Sequence, residues 1–399
     1  MTTIDVSAAT EPDSIDLLPF ADPIYQADPY PYYVVARDQG PIYESPLGVH
    51  VVTRHVDNFK LLRDPRMSSR QLDFGIASVF HDSVLGQDSP DHGRLRKISA
   101  SWFTPAMVEK WSVTMQGYVD RALDDAADRG SLDITDDLAF PATFGTMADI
   151  LGVGQHDAEL CRQATLDIGK ALRPSAGDED MLIAERAFAW YVDYINDLVA
   201  FKRTHPGDGL LDTFIEAEAA GSMTTAEVSA TVTLFYAVGH LDNSFLIENG
   251  VRLLLERPDI ARTFVDEREQ RYQILAEVLR HDTPEQFVTR YVTEDIDVDG
   301  SILPQGSVAV LMIGSGNRDE RVFPNPDVFD ITRENVQKMH LAFSGGQHGC
   351  AGQVLARAQG DVAIARLLER FPDAHLGGEV EYEHTEFIRG IKHLPVNVR

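Results

Sequence analysis

Cysteine is almost absent from this 399-residue chain: Cys161 and Cys350 are its only two. A disulfide framework or a four-cysteine zinc site therefore cannot be built, and a cysteine with a function works without a cysteine partner. Basic residues are scarce as well, 35 Lys and Arg against 63 Asp and Glu, for a net charge of −28. That balance argues against nucleic acid and anionic membrane surfaces as partners, and no run of basic residues supplies a local exception. No apolar run approaches the roughly 18 residues of a membrane span. The opening MTTIDVSAATEPDSIDLLPF has neither a basic nor an apolar signal region. A cytoplasmic protein that avoids membranes is expected.

The apolar residues that are present, 44% of the chain, are spaced mainly for helices. A short helix is expected in YPYYVVARD, and two strands between Pro41 and Arg54 that turn at Pro46 to Gly48. Helical periodicity runs through Thr104 to Ala127, Ile134 to Leu151, Ala184 to Phe201 and Ala226 to Leu255. The last of these contains no proline and would extend roughly 45 Å, across a whole domain. Its middle, LFYAVGHLDNSFLIENG, is apolar on nearly every side, which places His240, Asp242 and Asn243 inside the protein. After Glu277 come short alternating pieces such as Val298 to Val310, a coil rich in Pro and Asn, and a final helix over Gln353 to Arg370. No repeat or low-complexity linker divides the chain. The expected architecture is mainly α with a small β-rich subdomain: a polar segment, 1–19, then a single domain, 20–399.

Chemistry concentrates in Phe343-Ser-Gly-Gly-Gln-His-Gly-Cys350-Ala-Gly352. Its glycines free the backbone for tight turns and for close approach to something large and flat. Cys350 precedes a helix whose N–H groups and dipole would favour a thiolate, so a single metal ligand is a natural use. Cys161 has no such context and reads as inert packing. A zinc site from His340, His348 and Cys350 is the other conceivable use, though it lacks an obvious fourth ligand.

This segment resembles the haem-binding signature of the cytochrome P-450 superfamily, F-x-x-G-x-H-x-C-x-G followed by LAR, through Phe343, Gly346, His348, Cys350, Gly352 and Leu355-Ala-Arg357. The resemblance implies the cytochrome P-450 fold, haem b (iron protoporphyrin IX) and Cys350 as the axial ligand. It also implies a buried ion-pair network of Glu277, Arg280 and Arg333, and propionate contacts from His92, Arg96, Arg290 and His348. By the same likeness the substrate pocket would be lined by the segment after Arg70, by Phe235 to Phe245, by Phe287 and Val288, and by Phe387 and Ile388.

One motif departs from the family. Its long central helix usually carries an acid and a threonine that deliver protons to bound dioxygen. Aligned on Gly239 and on Asn249-Gly250, this chain has Leu241 at the acid position and Asp242 at the alcohol position. Gly239, His240, Asp242 and Asn243 are the residues from which any catalytic role on this helix would come. Three readings of Asp242 remain open: a protonated donor to the distal oxygen, an anion that grips a cationic or hydrogen-bond-donating substrate which assists its own oxidation, or an enzyme that uses peroxide or performs coupling or another oxidation without ordinary hydroxylation. A fourth is a local cap on a helix kink.

The activity implied is oxidation of a small organic molecule by a monooxygenase, in secondary metabolite biosynthesis or catabolism. No flavin or dinucleotide fingerprint occurs, so electrons are expected from a ferredoxin and its reductase, docking on a monomer near Arg94, Lys97 and Arg357. A non-catalytic haem sensor is the alternative from another class.

Overall fold

The structure, a computed structural model, describes residues 16–70, 80–154, 157–173, 176–383 and 386–399. Its main helices are α1 (Tyr30–Gln39), α2 (His55–Leu61), α3 (Asp91–Ser99), α4 (Pro105–Arg129), α5 (Phe140–Leu151), α6 (Ala158–Gly169), α7 (Asp178–Thr204), α8 (Thr225–Leu255), α9 (Arg271–His281) and α10 (Gln353–Arg370). The β part is dominated by a five-stranded sheet of β1 (Tyr43–Glu44), β2 (His50–Val52), β3 (Met67–Ser68), β4 (Val288–Val292) and β5 (Val308–Leu311), in the order β1-β2-β5-β4-β3. Only the β2–β5 pairing is parallel. This is the mainly α architecture with a small β side that the sequence implied.

Helix α8 organises the rest. Thr224 starts it with a capping box: its hydroxyl accepts from Glu227 N at 3.2 Å, and the Glu227 carboxylate accepts from Thr224 N at 2.8 Å. Apolar side chains on nearly all its faces let it pack against α5, α7, α9 and α10 at once. One side of the resulting core includes Phe144, Tyr191, Tyr236 and Cys161; the other includes Leu253, Ile274, Ile364 and Val396. Cys161 is fully buried among these apolar neighbours, as its plain sequence context suggested.

Two sequence expectations need correcting. Helical periodicity from Ile134 does not begin an α-helix there; Ile134–Ala139 form a wider π turn that leads into α5. Pro141 has no N–H for the carbonyl of Asp137, so the α ladder cannot run through that point. The segment expected to be polar, 1–19, also contains Leu18, which is buried beside Phe20, Tyr25, Tyr33 and Phe287.

Candidate active site

The cysteine loop follows a short turn and precedes α10. Cys350 N donates to Phe343 O at 2.9 Å and Ser344 N to Leu341 O at 2.7 Å, which folds the loop back on itself. Gly346 holds a φ of +66°, and a Cβ there would stand 2.3 Å from Leu62 O at the end of α2. Only glycine satisfies both conditions. Gly346 therefore seats the loop against α2, and it does not face the cavity that Cys350 faces.

That cavity, about 410 Å³, lies between the cysteine loop and α8. Its wall includes Gly239, Asp242 and Asn243 from α8, His92 and Arg96 from α3, Arg290 from β4, and Phe343, His348, Cys350 and Gly352 from the loop. Phe235, Phe287, Val288, Phe387 and Ile388 complete an apolar section of the wall. Most residues nominated from the sequence thus converge on one space. Residues 71–79 of the nominated pocket segment lie outside the described residues.

Two nominated residues do not reach the cavity, His240 by helical phase and Phe245 because the chain covers it. His240 lies about 160° around α8 from Asp242 at 100° per residue. Its ring is buried edge-on against Phe140 and Phe144, with Nδ1 on Tyr236 O, so no direct catalytic role is open to it. Phe245 is one turn beyond Asp242, where the Gly390 backbone closes over its ring. The kink-cap use of Asp242 also falls, because α8 continues unbroken from Thr225 to Leu255 and no described group hydrogen-bonds its carboxylate.

The loop's charges are distinctive. Burial pushes the Cys350 thiol up to about 11, and the carboxylates of Glu285 and Asp242 add to the effect, although the Gly352 amide opposes it. The amide at the helix start thus favours the thiolate, and burial outweighs it. Arg290 is lowered to about 10 by burial, and His92 to about 4 by burial reinforced by His348 and Arg96. Arg96 reaches Gly349 O at 2.6 Å and Arg290 only the adjacent Thr289 O at 2.7 Å; neither forms an ion pair among the described residues.

Arg290 is buried and Arg96 half-buried, and guanidinium groups withdrawn from water without counter-ions call for an anion from elsewhere. The two propionates of haem b are such anions, and the Cys350 sulfur on the wall of the same cavity suits the complementary iron ligand. The residues present therefore fit the group: Cys350 would bind its iron, and Arg96, Arg290, His92 and His348 would hold its propionates. The alternative zinc site does not assemble: His340 is turned toward Arg357, its Nε2 at 3.5 Å from that guanidinium, while His348 Nε2 is 3.7 Å from Asp88.

Behind the site, Glu277, Arg280 and Arg333 come together as the likeness implied. Glu277 accepts from Arg280 Nε at 2.7 Å and Nη2 at 2.8 Å, from Arg333 Nε at 3.1 Å and from Asp330 N at 2.8 Å. The guanidinium groups also bind the carbonyls of Asn317, Pro324, Asn325, Pro326 and Val328. The network thus locks the coil ahead of the cysteine loop onto α9.

One charged residue of the described wall had no sequence nomination. Glu285, between α9 and β4, faces the cavity and interacts electrostatically with Asp242. It lies in TPEQFVTR, the segment quoted for Arg290, but nothing in the linear pattern sets it apart from a solvated acid.

The family description "Cytochrome P450" matches residues 179–386. The chain is 31% identical to the cytochrome P450 monooxygenase PikC of Streptomyces venezuelae, over 94% of this chain and 92% of that one. It is 30% identical to the biotin biosynthesis cytochrome P450 of Bacillus subtilis, over 92% and 96% respectively. A solved structure of CxnD, described as a cytochrome P450 for C–S bond formation in chuangxinmycin biosynthesis, superimposes with a TM-score of 0.86 at 28% identity, covering 98% of each chain. The chain belongs to the cytochrome P450 family. It is a haem b oxidoreductase of the monooxygenase class, and no helix among the described residues is long and apolar enough to cross a membrane.

Proposed function

We propose that this protein oxidises a small organic molecule in a biosynthetic pathway, with dioxygen and two electrons delivered by a ferredoxin and its reductase. The observation that carries this reading is the cavity itself, where Cys350, unpaired Arg96 and Arg290, and a largely aromatic wall face one another. Bound haem would supply thiolate-ligated iron, at which dioxygen is reduced. The chain's own residues do the rest. Arg96, Arg290, His92 and His348 fix the propionates, while Phe235, Phe287 and Phe387 hold an apolar substrate and exclude water.

Electron transfer needs a basic patch for an acidic donor on a chain of net charge −28. Arg94 does not contribute freely, because it is paired with Glu227 at 2.5 Å and Asp91 at 3.1 Å. Arg357 lies over the Phe343 ring, 5.0 Å from its centroid. Lys97 is exposed on α3, and Arg63 is exposed beside Gly345 of the cysteine loop. These two are the better docking residues.

A second reading is favoured by one observation: Leu241 and Asp242, in place of acid and threonine, line the wall opposite the cysteine. Peroxide-driven oxidation or oxidative coupling requires no such relay, and one relative is named for C–S bond formation. The experiment is the spectrum of the reduced protein with carbon monoxide, followed by turnover with a ferredoxin system or with hydrogen peroxide. A strongly red-shifted band that disappears in Cys350→Ser is expected; its absence in the unaltered protein would remove the proposal. Turnover with peroxide alone would select the second reading.

A further inference from the structure

Asp242 and Glu285 are held by different rigid elements. Asp242 lies mid-way along α8; Glu285 is fixed by an antiparallel bridge to Ile388, on the chain's return past the cavity. Both side chains keep some accessible surface, but that surface is the cavity wall deep inside the molecule. Neither carboxylate accepts a hydrogen bond or an ion pair from any described residue. Asn243, only 6% exposed, lines the same cavity, and its Oδ1 also finds no donor.

A protein interior does not hold unpaired acceptors of this kind without cost, because each is desolvated with nothing in return. The cations of the cavity do not answer the need. Arg96, Arg290, His92 and His348 are the groups claimed by the propionates. With those taken, three residues on two elements present acceptors to a largely apolar space in which the remaining unpartnered donors, the hydroxyls of Ser69 and Ser344, are neutral and form no hydrogen bond to them.

We propose that Asp242 and Glu285 form a cation-recognition site, and that the natural substrate carries a basic amine, positively charged, that sits between them. This deepens the monooxygenase reading and rests on it for the word substrate, but binding of the cation does not require turnover. The surrounding Phe235, Phe287 and Phe387 suit an alkyl or aryl ammonium, whose charge meets the carboxylates and whose carbon skeleton meets the rings. Burial raises both acids, Asp242 well above its usual range and Glu285 to about 7, with the Glu285 charge adding to the effect on Asp242 and Arg290 opposing it on Glu285. The two then hold a proton that an arriving cation displaces.

The test uses the haem-loaded protein and phenylbutyltrimethylammonium, whose quaternary nitrogen has no lone pair to bind iron, beside its neutral tert-butyl carbon isostere. Calorimetric titration is expected to show the cation bound at least about tenfold more tightly, equivalent to about 1.4 kcal/mol. The preference should fall to parity in Asp242→Asn/Glu285→Gln, and part-way in each single variant, which keeps the test decisive should the double variant fail to fold. Equal binding of the two probes by the unaltered protein, or a preference that survives both substitutions, would overturn the proposal. The reduced carbon monoxide spectrum of the same samples separates the two readings. A missing band would remove the monooxygenase assignment, while the measured preference for charge would stand or fall separately.

Discussion

Replacing Glu277 with Gln should be among the most damaging isosteric changes available in this protein. The carboxylate sits 0% exposed beneath α9, between two guanidinium groups, and accepts four hydrogen bonds at 2.7–3.1 Å. Glutamine keeps the shape but removes the charge, and turns an amide donor toward guanidinium donors. Arg280, itself 0% exposed, is then a buried cation without an anion. Breaking a buried pair from one side costs about 3–5 kcal/mol. The comparison is Glu218→Gln at the more exposed Arg203–Glu218 pair, which is 2.7 Å long with side chains 39% and 20% accessible. That change should cost about 0–1 kcal/mol. Urea unfolding of the haem-loaded variants gives both values from the midpoints, provided the slopes agree. If Glu277→Gln loses no more than Glu218→Gln, the network is not what locks the coil before Cys350, and the account of the site's support is wrong.

Three further outcomes are expected. Gly346→Ala combines a φ of +66° with a Cβ 2.3 Å from Leu62 O and should lose about 1–3 kcal/mol; Gly93→Ala, in α3 with nothing within 4 Å of its Cβ, should gain roughly 0.5–1 kcal/mol, and equal melting temperatures would refute the contrast. Burial lowers His240 to about 4, despite the opposing Tyr236 carbonyl, below the unfolded value near 6.5. The unfolded chain therefore takes up the proton first. The contribution is complete above about pH 6.5 and is lost toward pH 4, at up to about 1.4 kcal/mol per pH unit; His240→Gln should flatten that slope in urea midpoints, and an unchanged slope would show that the ring is not the cause. Lys97→Glu should slow reduction by an acidic ferredoxin by roughly tenfold at low salt and less at high salt, whereas Arg94→Glu should act mainly on stability through Glu227. Stopped-flow reduction that Lys97→Glu leaves intact would remove the docking patch.

What could be read in the sequence was whatever depends on local spacing. The i, i+3 relation of Glu277 and Arg280, the i, i+4 relation of His92 and Arg96, and the glycines before Cys350 each set a local geometry. Folding put Glu277 with Arg280 in one buried pair and His92 with Arg96 on one cavity wall, whereas Gly346 turns from the cavity toward α2. Helix α10 was legible to the residue because Gly352 and Phe371 bound a clean periodic run. What failed depends on rotation or on partners distant in the chain. His240 is two residues from Asp242, yet the helical twist sends it to the opposite side. Phe245 has the right face, but Gly390, 145 positions later, covers it. Arg94 looked like a free cation until Glu227 folded against it. Glu285 was invisible for the same reason in reverse: an acid in a polar stretch becomes remarkable only when no donor folds beside it.

These displaced charges belong to one balance. Without haem, the cavity holds guanidinium groups lacking anions, carboxylates lacking cations, and a thiol held protonated partly by those carboxylates. No rearrangement within the cavity resolves all three, since neutralising Glu285 with Arg290 would take from the propionates the cation they need. Two separate visitors do resolve them: a dianionic iron porphyrin on the arginine and cysteine side, and an organic cation on the carboxylate side. Binding of the first engages Arg290, the cation among the described residues that acts on Glu285, and so sharpens the demand for the second. It follows that the haem-loaded protein should discriminate charge more strongly than the haem-free protein. Titration of phenylbutyltrimethylammonium into both forms measures that difference directly, and a preference that is greater in the haem-free form would show that Arg290 is not Glu285's competing partner.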